Sequence, residues 1–222
     1  MPLLVTAIAA MVLVLSGPRV VASIRYLPIE HALDEYYRTL EIPTDRLPVL
    51  MQFAQTAIAY NDHPRYFDGL SVLHYLRGLD VYTPARQRIG EYRAAEGAAL
   101  ESLSRSPAQP AAWLRVSYIR WVLRDEAPDV IRPWKMSIFA GRMESALFLQ
   151  RVEIGMAYRT ELDEEGSAML RDQILLAWEL RPGSLIQLLA RRDPSLAQTR
   201  ALIGTADPLA LAEMEAWVEK AR

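Results

Sequence analysis

Proline placement constrains this chain more than any other feature. There are fourteen prolines, and beyond the N-terminus they fall between runs of apolar residues that repeat with helical spacing. Proline lacks an amide hydrogen and has a fixed φ, so it suits the first turn of a helix and disturbs its interior. A proline at each edge of an apolar stripe marks a helix boundary. Val49, Leu50, Phe53, Ala54, Ala57 and Ile58 form the first such stripe, opened by Pro48 and stopped by Asp62 to Pro64. The pattern predicts further helices over 65–79, burying Leu70, Leu73 and Leu76, and over 85–105, with Ile89, Tyr92, Ala95, Ala99 and Leu103 on one side. A turn at Ser106 to Pro110 opens the next, whose inward face is Ala111, Leu114, Tyr118, Trp121 and Val122. Pro128 and Pro133 precede a short helix over 134–139, and another is expected over 142–159. Leu170, Ile174, Ala177 and Trp178 form a stripe ended by Pro182-Gly183, followed by helices over 184–190, 194–203 and 208–221. The last of these is expected to bury Ala210, Met214, Trp217 and Val218. No segment alternates apolar and polar residues with a period of two, so the expected class is all-α. Short loops between helices imply antiparallel hairpins, stacked as an α-solenoid or closed into an irregular bundle.

The N-terminus reads differently. Pro2 to Ser16 carries no charge and is nearly all Leu, Val, Ala, Ile and Met. At about 1.5 Å per residue this run spans only about 22 Å, against about 30 Å for a hydrocarbon core. Including Val20, Val21, Ala22 and Ile24 reaches spanning length if Arg19 snorkels. Residues 1–24 are therefore expected to be a membrane anchor or uncleaved signal segment, with a signal peptide cleaved near Val20 or Ala22 as the alternative. Residues 25–222 form the helical domain. Arg19 and Arg25 follow the run and no cation precedes it, which by charge bias alone places that domain in the cytoplasm.

Hydrophobic residues make up 51% of the chain and charged residues 23%, too apolar a balance for disorder. Net charge is −2 and the arginines are scattered, so nucleic acid is not an expected partner. The absence of cysteine removes disulfides, thiolate metal sites and cysteine nucleophiles together.

No catalytic constellation is found. His31, His63 and His74 are the only histidines and have no short metal-ligand spacing. Asn61-Asp62-His63-Pro64 reads as a polar turn capping a helix, with a carboxylate-oriented general base as the alternative. Asp163-Glu164-Glu165 suits the positive end of a helix dipole, and Asp125-Glu126 a solvated turn. Ser71, Ser137 and Ser145 lack a nucleophile elbow, and the glycines form no phosphate cradle. The reading is a non-enzyme with no cofactor and no metal. Tyr60, Tyr66, Phe67, Tyr75, Tyr82 and Tyr92, with Arg65, Arg77 and Arg86 nearby, either fill a core, contact a protein or stack on a glycan.

Ala95, Ala99, Ser102, Pro107 and Trp113 fall at the offsets of a tetratricopeptide (TPR) repeat junction, which the stretch 46–125 resembles. The resemblance implies TPR-like hairpins in which small residues let two helices approach and Trp113 fills a groove between hairpins. Arg120 departs from the pattern, which has tyrosine there, and no second copy keeps register. The whole layout, with Ala146 to Leu149 and Arg171 to Leu175 inside the stretch 140–180, is similar to bacterial inner-membrane proteins associated with exopolysaccharide or O-antigen biosynthesis. That similarity implies a periplasmic domain on a single-pass anchor, bound to an integral-membrane protein complex. The expected function is thus a non-catalytic scaffold or accessory protein in surface polysaccharide assembly or export. The alternatives are a subunit of another membrane complex, or a helical enzyme acting on glycans or lipids. Tyr66, Arg77, Tyr118 and Arg120 are the candidate protein-binding residues.

Overall fold

The computed structural model describes residues 2–41 and 44–221, with side chains at 11, 14–41 and 44–220. Among these residues the chain is helical throughout, with no strand. Eleven α-helices and one 3-10 turn (Thr44–Arg46) occur in the order α1 Pro2–Thr39, α2 Leu47–Tyr60, α3 Pro64–Leu79, α4 Ala85–Arg105, α5 Pro110–Val122, α6 Ala127–Ala140, α7 Phe148–Ala157, α8 Glu164–Leu180, α9 Pro182–Arg192, α10 Ala197–Ile203 and α11 Pro208–Ala221. The helices pack in hairpin-like pairs, and the domain expected over 25–222 contains a division between two compact units, Met1–Pro107 and Ala108–Arg222.

The stretch assigned to an anchor and the start of the helical domain are one element. Helix α1 runs through residue 24 without a break. From Ala22 onward it is amphipathic, burying Ala22, Tyr26, Ile29 and Leu33 against α2 and α3. Before that point the described apolar side chains are outside any core: Met11 is 63% exposed, Val14 74% and Leu15 63%. The remaining side chains of the apolar run, 2–10 and 12–13, lie outside the described residues. Among the described residues no helix is long and apolar enough to cross a membrane.

Beyond the N-terminal run prolines were expected only at boundaries, and Pro28 and Pro133 correct that. Pro18 and Pro28 lie inside α1 and Pro133 inside α6. Pro18 and Pro28 are exposed, as are Val14 and Ile24 four residues before them, so the carbonyls they leave unbonded face outward. Pro133 is buried, and its missing amide is replaced by a side chain from α5. Arg120 Nη1 donates to the Asp129 carbonyl at 3.0 Å, the oxygen that residue 133 would otherwise reach. Ser117 Oγ donates to the neighbouring Val130 carbonyl at 2.9 Å. This repair lets α6 begin at Ala127, seven residues ahead of the expected start.

In the first unit, α3 and α4 approach over small residues. Ala95, Ala98, Ala99 and Ser102 are buried on α4 and Gly78 on α3, while the buried Gly69 of α3 faces Tyr26 of α1. A Cβ on Gly78 would lie 2.7 Å from Tyr92 Cε1. The close approach also lets Ser71 Oγ donate to the Ala95 carbonyl at 2.7 Å, and Ser102 Oγ to the Pro64 carbonyl at 2.8 Å. Ile89, expected on the inward face, is exposed, and the buried stripe of α4 begins at Tyr92. On α2 Val49 is likewise exposed, and Leu47 and Met51 take its place in the core.

The second unit closes around Trp134, 1% exposed, with Phe148, Val152, Leu170 and Ile174 among the core residues near it in sequence and space. Gly155 lets α7 meet this cluster, since a Cβ there would sit 2.9 Å from Trp134 Cζ2. Trp113, expected to be the buried groove-filler, is half-exposed. Trp217 is also largely exposed, resting edge-on against Trp178 with centroids 5.9 Å apart.

Candidate functional site

The four residues singled out for protein binding are divided between the two units, Tyr66 and Arg77 in the first and Tyr118 and Arg120 in the second. Tyr66 is packed in the first core, tilted against Tyr26 at 4.9 Å between centroids, with its hydroxyl 3.3 Å from Ser23 Oγ. Burial pushes the Tyr26 phenol well above its ordinary value, and its hydroxyl donates to the Arg65 carbonyl. Arg77 is half-buried. Its Nε lies 3.1 Å from Glu91 Oε1, while His74 Nδ1 lies 2.7 Å from Glu91 Oε2. One α4 carboxylate thus ties down two α3 side chains a helical turn apart, which locks the hairpin's register. Tyr118 and Arg120 belong to the second unit, Tyr118 edge-on to Trp121 at 5.8 Å and Arg120 on the carbonyl left by Pro133.

The polar turns serve helix ends. His63 is the N-cap of α3, its ring accepting from the Arg65 amide at 3.3 Å. Asp62 pairs with Arg105 of α4. Asp163 caps α8 by accepting from the Gly166 amide at 2.7 Å, and Lys135 Nζ bridges Asp163 and Glu165 at 2.7 and 2.8 Å. The hydrogen bond from Lys135, helped by the Gly166 amide, holds the Asp163 carboxyl below its ordinary value. Among the described residues no group of three histidine, aspartate or glutamate side chains could hold a metal ion.

The most elaborate polar cluster was missed in the sequence. Arg151 of α7 is fully buried, yet none of its hydrogen-bond acceptors is a carboxylate. Its Nε donates to Ser137 Oγ at 3.0 Å and Nη2 to the Ser137 carbonyl at 2.6 Å. Nη1 faces the carbonyls of Gly141 and Arg142 at 3.1 and 3.4 Å and Gln173 Oε1 at 3.1 Å. Burial pushes the guanidinium down to about 10, partly opposed by Glu144, so it stays charged at neutral pH. The Arg151 carbonyl accepts from Trp134 Nε1 at 2.8 Å. This network explains why α7 starts at Phe148 and not near 142: the carbonyls of Gly141 and Arg142 are turned onto Arg151. The sequence held one signal, an arginine on the helical face of Phe148, Val152 and Gly155. With each of its three nitrogens donating inside the protein, Arg151 makes the cluster a structural clasp.

Exposed apolar side chains include Met11, Val14 and Leu15 of α1, and a groove of about 570 Å³ in the second unit, between α8 and α11, is lined by Leu175, Trp178 and Leu209. No protein-family model matches the chain, and no curated protein matches it.

Proposed function

We propose that this chain is a non-catalytic, membrane-anchored scaffold that holds other proteins, with a role in surface polysaccharide assembly or export. The observation that carries the reading is the two-part α1 helix. Its second half is built into the first core, while Met11, Val14, Leu15 and Val20 of its first half are exposed apolar side chains. An uncovered apolar helix of that kind is unfavourable in water by about 25 cal/mol per Å² and is stable when lipid covers it. Continuity of α1 would couple the bilayer directly to the α2–α3 packing. The hairpin-like helix pairs, read as TPR-like, support the binding role, since arrays of such pairs present extended surfaces to other proteins. The polysaccharide link rests on the layout similarity described above.

The reading is tested by purifying the full-length tagged chain from native membranes in mild detergent and identifying what accompanies it. Glycan synthesis or export proteins in fixed proportion are the expected result. Another membrane complex would retain the scaffold and discard the pathway. Recovery of the chain alone, from the soluble fraction, would remove both the anchor and the scaffold.

A further inference from the structure

The groove between α8 and α11 has a charge pattern that specifies its occupant. Its apolar lining is the half-buried Leu175 and Trp178, with Leu209, 78% exposed, at the edge. Four carboxylates stand around this lining, Asp172, Glu179, Asp207 and Glu213, with Arg142 the single cation. Two of the four are already engaged. Asp172 is paired with Arg142, whose Nε donates at 2.9 Å, and Asp207 caps α11 by accepting from the Ala210 amide at 2.9 Å. Glu179 and Glu213 are exposed and have no ion-pair partner among the described residues. They belong to the two helices that wall the groove.

We propose that this groove docks a basic amphipathic helix of a protein partner. Its apolar face would rest on Leu175, Trp178 and Leu209, and its lysine or arginine heads would reach Glu179 on one wall and Glu213 on the other. This is helix-in-groove recognition, in which apolar anchors supply affinity and complementary charge supplies orientation and encounter rate. The span from Asp172 to Glu179 is about 10 Å along the α8 axis, enough for about two turns of a docked helix. The same rim repels an anionic lipid surface or a nucleic acid, and an apolar lining gives a simple polyamine nothing to rest on. The proposal rests on the scaffold reading and locates its binding surface.

The test uses the full-length protein in zwitterionic detergent and three probes. They are a labelled helical peptide of about 15 residues with leucine on one face and lysine on the other, its glutamate counterpart, and spermine. Fluorescence anisotropy should show binding of the lysine peptide only, weakening roughly tenfold or more in Glu179→Lys/Glu213→Lys and falling as salt rises from about 50 to about 300 mM. Both substitutions are at exposed positions and leave the core intact. Equal binding of the glutamate peptide or of spermine, or no loss in the double variant, overturns the proposal. A parallel purification of the double variant from membranes separates the two readings. A native complex that survives the charge reversal means that the scaffold stands and the groove is not its docking site. A complex absent even from the unaltered protein removes the scaffold reading itself.

Discussion

The two units reach a helical core by opposite routes. In the first, α3 and α4 are drawn together over Gly78, Ala95, Ala99 and Ser102, with Tyr92 laid across Gly78, while Gly69 of α3 gives room to Tyr26 of α1. Serine hydroxyls bridge the narrow gap to backbone carbonyls. In the second, large side chains set the spacing around Trp134, and the irregular segment between α6 and α7 is gathered by one buried guanidinium. Close approach depends on what is absent at a position, and a few small residues at helical spacing reveal it. A buried clasp depends on groups far apart in sequence meeting at one atom, and no local pattern encodes that.

The difference can be broken most severely in the second unit. Trp134→Ala removes a fully buried ring and the donor to the Arg151 carbonyl; a loss of about 3–5 kcal/mol is expected in urea unfolding. Trp113→Ala, at a half-exposed ring, should cost clearly less, and the reverse order would refute this account of the core. Arg151→Leu should cost about 2–4 kcal/mol, because it leaves Ser137, Gln173 and two loop carbonyls without their donor. If the guanidinium is the clasp, hydrogen exchange in 141–147 should accelerate in that variant more than in the rest of the unit.

In the first unit the sharper test is to add an atom. Gly78→Ala drives a methyl into the Tyr92 ring and should cost about 1–3 kcal/mol, with partial recovery when Tyr92→Leu is added. Gly90→Ala on α4 meets nothing within 4 Å and should be neutral or stabilise by about 0.5–1 kcal/mol. Equal effects at the two glycines, read by thermal unfolding, would mean that the α3–α4 spacing is not set by small residues. The smallest effect is electrostatic. Asp163 has a folded-state value below its ordinary 3.8, so its contribution is complete above that pH and is lost as pH falls through the lowered value. Lys135→Met should return the Asp163 titration, followed by carboxyl NMR, toward 3.8. Asp163 is largely exposed, so the accompanying stability change should be slight.

Most helix positions from α2 onward were legible, because a stripe meets a proline or a capping side chain at the boundary: Pro48 in the first turn of α2, His63-Pro64 at α3, Asp163 at α8 and Pro208 at α11. What escaped was compensation at a distance. Pro133 reads as lying ahead of a helix until Arg120 and Ser117 are seen serving the α6 backbone, and Arg151 has no motif to mark it until its acceptors are assembled. The binding candidates were chosen by residue type, and type does not reveal burial: Tyr66 went to the core, while the rim acids Glu179 and Glu213 carry no motif.

The central claim is that the chain works by holding another protein at a membrane, and native mass measurement of the particle released from membranes by mild detergent tests it most directly. The account predicts a particle heavier than the 25.1 kDa chain by a fixed complement of a second protein, stable on dilution. A particle containing this chain and detergent alone, or a chain released from membranes without detergent, would contradict it.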